Sequence, residues 1–164
     1  DLVAKEVSTI GDIFGVPDKA KALNDDLTGQ VKDLTSQASK DSRHSAAALW
    51  VEAGSSGFYT YGTSSMVQPI LEANGLRNVY DGEKKRVFDA TMEDVLNRDP
   101  EWIVLLAQEG DIAKTKPAFL KYKGASQLQA VKKNQIVVIP FSLTDPPTPQ
   151  SIKGAVELNK LLKK

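Results

Sequence analysis

Phe58, Tyr59, Thr60, Tyr61 and Thr63 crowd into one short stretch of this chain, a few residues after Trp50. Aromatic rings offer a bound small molecule flat apolar area, and Tyr and Thr hydroxyls fix its orientation. The stretch follows an apolar run that reads as a strand, and in open α/β sheets ligands lie outside the carboxyl ends of strands. It is therefore the first candidate for ligand contact, with one alternative, that Phe58 and Tyr59 fold back onto the core. Trp50, inside the apolar run, reads as core. A second cluster is Thr91-Met92-Glu93-Asp94. Thr91 suits a helix N-cap and Asp94 the first turn, where a hydroxyl and a carboxylate answer unpaired N–H groups and the positive end of the helix dipole. Glu93 should project outward from the second helical position; taken alone, it is a dipole-favoured surface carboxylate.

Residue types that would make an enzyme are missing from the places where they would act. Gly54, Ser55, Ser56 and Gly57 lack both the Lys-Ser/Thr pair of a phosphate loop and the glycine spacing of a dinucleotide fingerprint. No Ser sits in a Gly-x-Ser-x-Gly elbow, and the one histidine, His44, falls in a polar linker before the first strand. Without Asp, Glu or Cys at ligand spacing, His44 reads as solvent-exposed rather than as a metal ligand. We expect a binding protein and not an enzyme, with no cofactor and no metal held directly by side chains. Two other classes are weighed against it. One is an enzyme on a doubly wound fold, using Asp145 or Glu109 at strand ends. The other is a signalling module, which needs an acidic pocket where the first strand offers Glu52 alone.

Composition narrows the field further. The chain has 164 residues, 41% hydrophobic and 26% charged, enough for one core of ordinary size and, by default, one domain. Its 21 basic and 21 acidic residues cancel, so neither nucleic acid nor an anionic membrane surface is implied as a partner. Cysteine is absent, which removes disulfides, thiolate metal sites and thiol catalysis together. The longest apolar stretches, Trp102 to Ala107 and Ile136 to Phe141, fall far short of the ~20 residues that cross a bilayer. Residue 1 is Asp and no leader precedes the fold, so the chain is expected to be processed or cut.

The elements that must position these residues follow from periodicity. Val3, Val7, Ile10 and Phe14 recur at helical spacing, Gly15 stops that helix, and Pro17 and Asp18 open a second one whose apolar stripe is Ala20, Leu23, Leu27, Val31 and Leu34. A polar run, Thr35 to Ser45, follows. Ala46 to Val51 reads as a strand, then a Gly/Ser loop, then a helix from about Ser64 to Ala73 that Gly75 closes. A capped helix at Thr91 to Arg98 leads to a strand at Trp102 to Ala107, and a helix near Pro117 to Val131 leads to a strand at Ile136 to Phe141. A last helix spans Thr148 to Leu162. Unbroken apolar strands alternating with helices require a mostly parallel sheet covered on both faces, an α/β three-layer lobe.

In that order the segments resemble the carboxyl-terminal half of the class III extracytoplasmic substrate-binding proteins that serve siderophore, haem and cobalamin ABC importers. The resemblance covers nearly the entire chain and is carried by IGDIFGVPDKAKAL at 10–23, ALWVEAGSSGFYTYGTSSMVQPILEANGLRNV at 48–79, FDATMEDVLNRDPEWIVLL at 88–106 and LQAVKKNQIVVIPFSLTDPPTPQSIKGAVELNKLL at 128–162. It implies a helical interlobe segment at 1–45 and a ligand-binding α/β lobe at 46–164. It places Phe58, Tyr59, Tyr61, Thr63, Ser142, Thr144 and the rest of the 142–148 loop at the ligand cleft, and gives Glu93 the role of docking into an arginine pocket of the permease. It also implies an amino-terminal lobe supplying the other half of the cleft, outside this chain, behind a secretory or lipoprotein signal. The site would then lie in the periplasm or on the cell surface, anchored through a lipid.

The ligand expected on these grounds is a metal chelate. Arg43, Arg77 and Arg98 are spread over different segments, so no cationic cluster matches a triscatecholate, and aromatic and hydroxyl lining suits a ferric hydroxamate-type chelate. Cobalamin, haem and a cofactor precursor remain alternatives.

Overall fold

The computed structural model describes residues 2–38, 44–51 and 57–163, with the side chain of Gln37 left out. Arg43, Glu52, Gly54, Ser55 and Ser56, named above, lie outside the described residues.

Two helices open the chain, α1 at Leu2–Ile13 and α2 at Pro17–Gln37, with Gly15 between them at φ 66°. Pro17 sits in the first turn of α2, where its missing N–H costs nothing. Of the apolar stripe, Ala20, Leu27 and Leu34 are buried, while Leu23 and Val31 remain exposed. The sheet contains β1 (His44–Val51), β2 (Phe58–Tyr61), β3 (Leu76–Asn78), β4 (Val87–Ala90), β5 (Trp102–Ala107) and β6 (Ile136–Pro140). Its order is β4-β2-β1-β5-β6, with β3 paired to β1 as well. β3 and β5 run parallel to β1, and β6 runs parallel to β5. β2 alone reverses: it pairs antiparallel with the upper half of β1 (Val51 opposite Phe58) and antiparallel with β4.

Side chains alternate between the two faces, so each strand feeds two cores. Ala47, Leu49, Ile103, Leu105 and Ile136 pack with Val95 of α4 (Met92–Arg98) and Phe119 of α5 (Ile112–Leu120). Ala46, Ala48, Val104, Leu106 and Ile139 pack on the other face with Leu34 of α2, Leu71 of α3 (Val67–Ala73) and Leu158 of α7 (Pro149–Leu162). Between α5 and α7 lies the short α6 (Gln129–Lys132). β1 and β5 read as unbroken apolar runs because both of their faces are covered, and Leu105, fully buried, would cost about 2–5 kcal/mol if cut back to Ala. The expected α/β lobe with a mostly parallel central sheet is the fold the chain adopts.

Several expected boundaries need correction. His44 is the first residue of β1, opposite Leu76, rather than part of a linker. The helix expected from Ser64 begins at Val67, and the one expected at 117–131 starts earlier and is broken after Leu120 by a turn in which Gly124 takes φ 96°. The aromatic stretch is a strand, β2, not a loop, and β3 and β4 were not expected at all; each has four residues or fewer and is defined by its partners.

Candidate functional site

Beyond the carboxyl ends of β1, β5 and β6 the surface sinks into a hollow of about 350 Å³ lined by Trp50, Tyr59, Tyr61, Arg86, Val87, Gln108, Phe141 and Asp145. Trp50 is next to last in β1, Gln108 follows β5 directly, and Phe141 follows β6. Because β2 is a strand, Tyr59 and Tyr61 share one face, and Trp50 is the direct cross-strand partner of Tyr59. Phe141 stands edge-on to Trp50 at a centroid distance of 4.6 Å, a favourable arrangement for two ring quadrupoles. Tyr59 is 44% exposed, whereas Tyr61 is buried at its base.

The polar part of the hollow is an ion pair. The Arg86 guanidinium donates to Asp145 Oδ2, with the arginine side chain 58% exposed and the aspartate side chain only 6%. Asp145 Oδ1 is buried and has no hydrogen-bond partner. Burial pushes the Asp145 carboxyl above the usual aspartate range, and the Arg86 charge opposes that rise without cancelling it. Tyr61 responds to the same surroundings. Burial first, and the Asp145 charge second, push its phenol far above the ordinary range.

Backbone contacts set both members of the pair. Gly62, just past β2, lies so close to the segment before β4 that a Cβ there would collide with the carbonyl oxygens of Glu83 and Lys85. The Gly62 and Thr63 N–H groups donate to the Arg86 and Glu83 carbonyls at 3.2 and 2.8 Å. On the other side, a turn at Phe141–Leu143 passes over α7 where Gly154 has no room for a Cβ against the Leu143 carbonyl. The Thr144 and Asp145 N–H groups both donate to the Phe141 carbonyl, at 2.9 and 3.1 Å.

Placement of the expected contact residues is mixed. Tyr59 and Tyr61 line the hollow. Phe58 does not: it points to the opposite face, 3% exposed, and packs edge-on against Phe119 and Tyr122, because neighbouring residues of a strand face opposite ways. Thr63 donates its hydroxyl to the Glu83 carbonyl at 3.1 Å, and so holds the Arg86 segment rather than facing a ligand. Thr144 is buried and donates to the Phe141 carbonyl, while Ser142, exposed, donates to Glu109 Oε1 at 2.8 Å and ties together the turns after β5 and β6. Trp50, read as core, is only partly buried and lines the hollow.

Arg86 is the residue that sequence reasoning missed. It closes the run Lys84-Lys85-Arg86, which reads as solvated charge; only the pairing of β4 with β2 brings it over the hollow. Glu93 is exposed in the first turn of α4, where the Thr91 hydroxyl accepts from the Asp94 N–H at 3.2 Å as the capping pattern requires. His44 stands at the far end of β1, 3.0 Å from Glu101. Among the described residues no group of three or more His, Cys, Asp or Glu could hold a metal ion. Among the same residues no helix is long and apolar enough to cross a membrane.

The chain is similar to several known proteins. A crystal structure described as an ABC-type Fe3+-hydroxamate transport system from Saccharomonospora viridis superimposes with a TM-score of 0.89 at 37% identity, over 99% of this chain and 55% of that one. The high-affinity heme uptake system protein IsdE of Staphylococcus aureus is 26% identical over 148 residues, 85% of this chain and 50% of its own length. The periplasmic vitamin B12 binding protein BtuF of Vibrio cholerae shares the fold, with a TM-score of 0.80 at 17% identity over 98% of this chain and 60% of that one. The chain thus spans about half the length of the curated relatives it matches. The sequence profile described as "Periplasmic binding protein" matches residues 1–143, and with the strand-end hollow in place the chain belongs to the periplasmic binding protein family.

Proposed function

We propose that this chain is the carboxyl-terminal lobe of an extracytoplasmic solute-binding protein that captures a ferric hydroxamate-type chelate and delivers it to an ABC permease. Residues 46–164 form one wall of the ligand cleft, and residues 1–45 belong to the helical connection toward an amino-terminal lobe that forms the other. The observation that carries the ligand class is the lining of the hollow, four aromatic rings, two of them phenols, around one internally neutralised ion pair. Such a wall offers area and hydrogen bonds to an uncharged, partly apolar chelate, and does not concentrate positive charge as a polyanion would need. Glu93, exposed at the start of α4, is the proposed docking carboxylate: exposed charge steers association and adds modest affinity. The protein would act in the periplasm or on the cell surface, held there by a lipid.

Haem delivery is the second reading, favoured by the likeness to IsdE. His44 stands at the opposite end of β1, so in this lobe an axial ligand to haem iron would have to come from another residue.

Quenching of Trp50 on titration with ferric hydroxamates, ferric catecholates, haem and cobalamin distinguishes these readings in the two-lobed protein. Saturable sub-micromolar quenching by hydroxamates, lost in Trp50→Phe, is expected. Tight binding of haem or cobalamin alone would overturn the hydroxamate assignment, and no response to any of them would overturn chelate delivery.

A further inference from the structure

Among the described residues lining the hollow, Arg86 and Asp145 carry the only formal charges. Arg86 reaches into it from an exposed position, whereas Asp145 is almost wholly buried beneath. A guanidinium has five N–H donors, so one that is paired on a single carboxylate oxygen still has others to offer the oxygens of a ligand. What the pairing removes is its net positive field. The surroundings do not restore that field: Asp89 faces Tyr59 across the β2–β4 pair, and Glu109 is held beside the hollow by Ser142. Lys84 and Lys85 are exposed and outside the lining. Because Asp145 is buried, its charge is poorly screened by salt and acts on whatever occupies the hollow.

We infer that the Arg86–Asp145 pair is a charge filter, in which Asp145 neutralises the cation that the described residues present to the ligand and makes this wall select uncharged chelates over anionic ones. The inference rests on the chelate-delivery function proposed above and adds to it the residue that sets the discrimination. Arg86 supplies hydrogen bonds; Asp145, reaching the ligand through Arg86, is a specificity-determining positioning residue. Selectivity of this kind is a difference between two affinities, created by disfavouring the wrong ligand as much as by favouring the right one.

The test measures two dissociation constants for each variant of the two-lobed protein, one for a neutral ferric trihydroxamate and one for a trianionic ferric triscatecholate. Wild type should prefer the neutral complex. Asp145→Asn keeps the shape, frees the arginine charge, and should narrow the preference by about tenfold, mainly through tighter catecholate binding. Arg86→Gln in the Asp145→Asn background should cancel that gain. A uniform loss for both chelates would make Asp145 merely structural, and an unmoved ratio would equally overturn the filter. Should Asp145→Asn fail to fold in a thermal melt, Arg86→Gln, a change at an exposed position, decides when measured well above the raised carboxyl pKa: the unneutralised Asp145 carboxylate must then widen the preference, and an unchanged ratio there sinks the inference. Wild type that binds neither chelate would overturn the proposed function and the filter together, whereas binding with an unmoved ratio overturns the filter alone.

Discussion

The two ends of the parallel strands each hold a carboxylate, and they treat it differently. At the amino end, the Glu101 carboxylate lies 3.0 Å from His44 Nδ1, accepts the Ser45 N–H at 2.8 Å and the Ser45 hydroxyl at 3.4 Å, and its own N–H donates to Ser45 Oγ at 3.0 Å. These contacts, led by the His44 hydrogen bond, hold its carboxyl below the usual glutamate range. At the carboxyl end, Asp145 keeps one buried oxygen unpartnered and its carboxyl lies above the usual range. Two carboxylates at opposite ends of one sheet are thus shifted in opposite directions. A carboxylate that finds its partners inside the protein contributes to stability, whereas a buried oxygen left without one costs free energy.

Breaking the support of the incomplete end should give the largest effect. Gly154→Val forces α7 off the Phe141–Leu143 turn, and we expect at least about 3 kcal/mol of destabilisation by denaturant unfolding, with the Trp50 environment changed. Next comes Glu101→Gln, which removes acceptor strength from a half-open cluster at the amino end. It should lower the Tm by a few degrees, for about 1–2 kcal/mol, and leave chelate affinity untouched. A loss of affinity there would show that the ends are coupled.

The pH dependence sharpens the contrast, since the signs differ. Glu101, depressed in the folded state, stabilises the fold above its unfolded pKa, and that contribution disappears as pH falls through its lower folded pKa. Asp145, raised in the folded state, binds its proton more tightly folded than unfolded, so its ionisation removes stability as pH rises from the ordinary aspartate range through its folded pKa. Stability curves of Glu101→Gln and Asp145→Asn should therefore depart from wild type in opposite directions between those limits. The smallest effect belongs to Asp145→Asn at neutral pH, where relief of a buried, half-satisfied charge offsets the weaker bond to Arg86. We expect a change within about 1 kcal/mol, measured by thermal melt, against a far larger effect on ligand choice.

What was legible in the sequence divides along the same line. α2, α7, β5 and the Thr91 cap were readable because they rest on signals local to a few turns: Pro17 at a first turn, a hydroxyl three residues before Asp94, an apolar run bounded by Pro100 and Gln108. The hollow was only half readable. Its rings were visible as a cluster, yet their facing depends on β2 being a strand, and the Gly/Ser run before Phe58 resembles a loop. Read with a period of two, the same residues separate Phe58 and Thr60 from Tyr59 and Tyr61. The resemblance places Thr63 and Thr144 at the cleft, but a hydroxyl is as easily satisfied by a nearby carbonyl, and only the fold decides which. Arg86 and Asp145 lie far apart in sequence, so no spacing could announce their pairing.

The reversal of β2 has a consequence for how such a lobe can change over time. A parallel neighbour of β1 needs a long crossover that lays a helix over the sheet, while the reversed β2 is reached through residues 52–57 alone. Tyr59 meets solvent between two buried neighbours, Phe58 and Thr60, on a short strand whose Phe58 and Tyr61 belong to the two cores. A substitution at Tyr59 alone can change the lining of the hollow while the buried layers keep their sequence. Along β2, freedom to vary and the obligation to pack fall to adjacent residues.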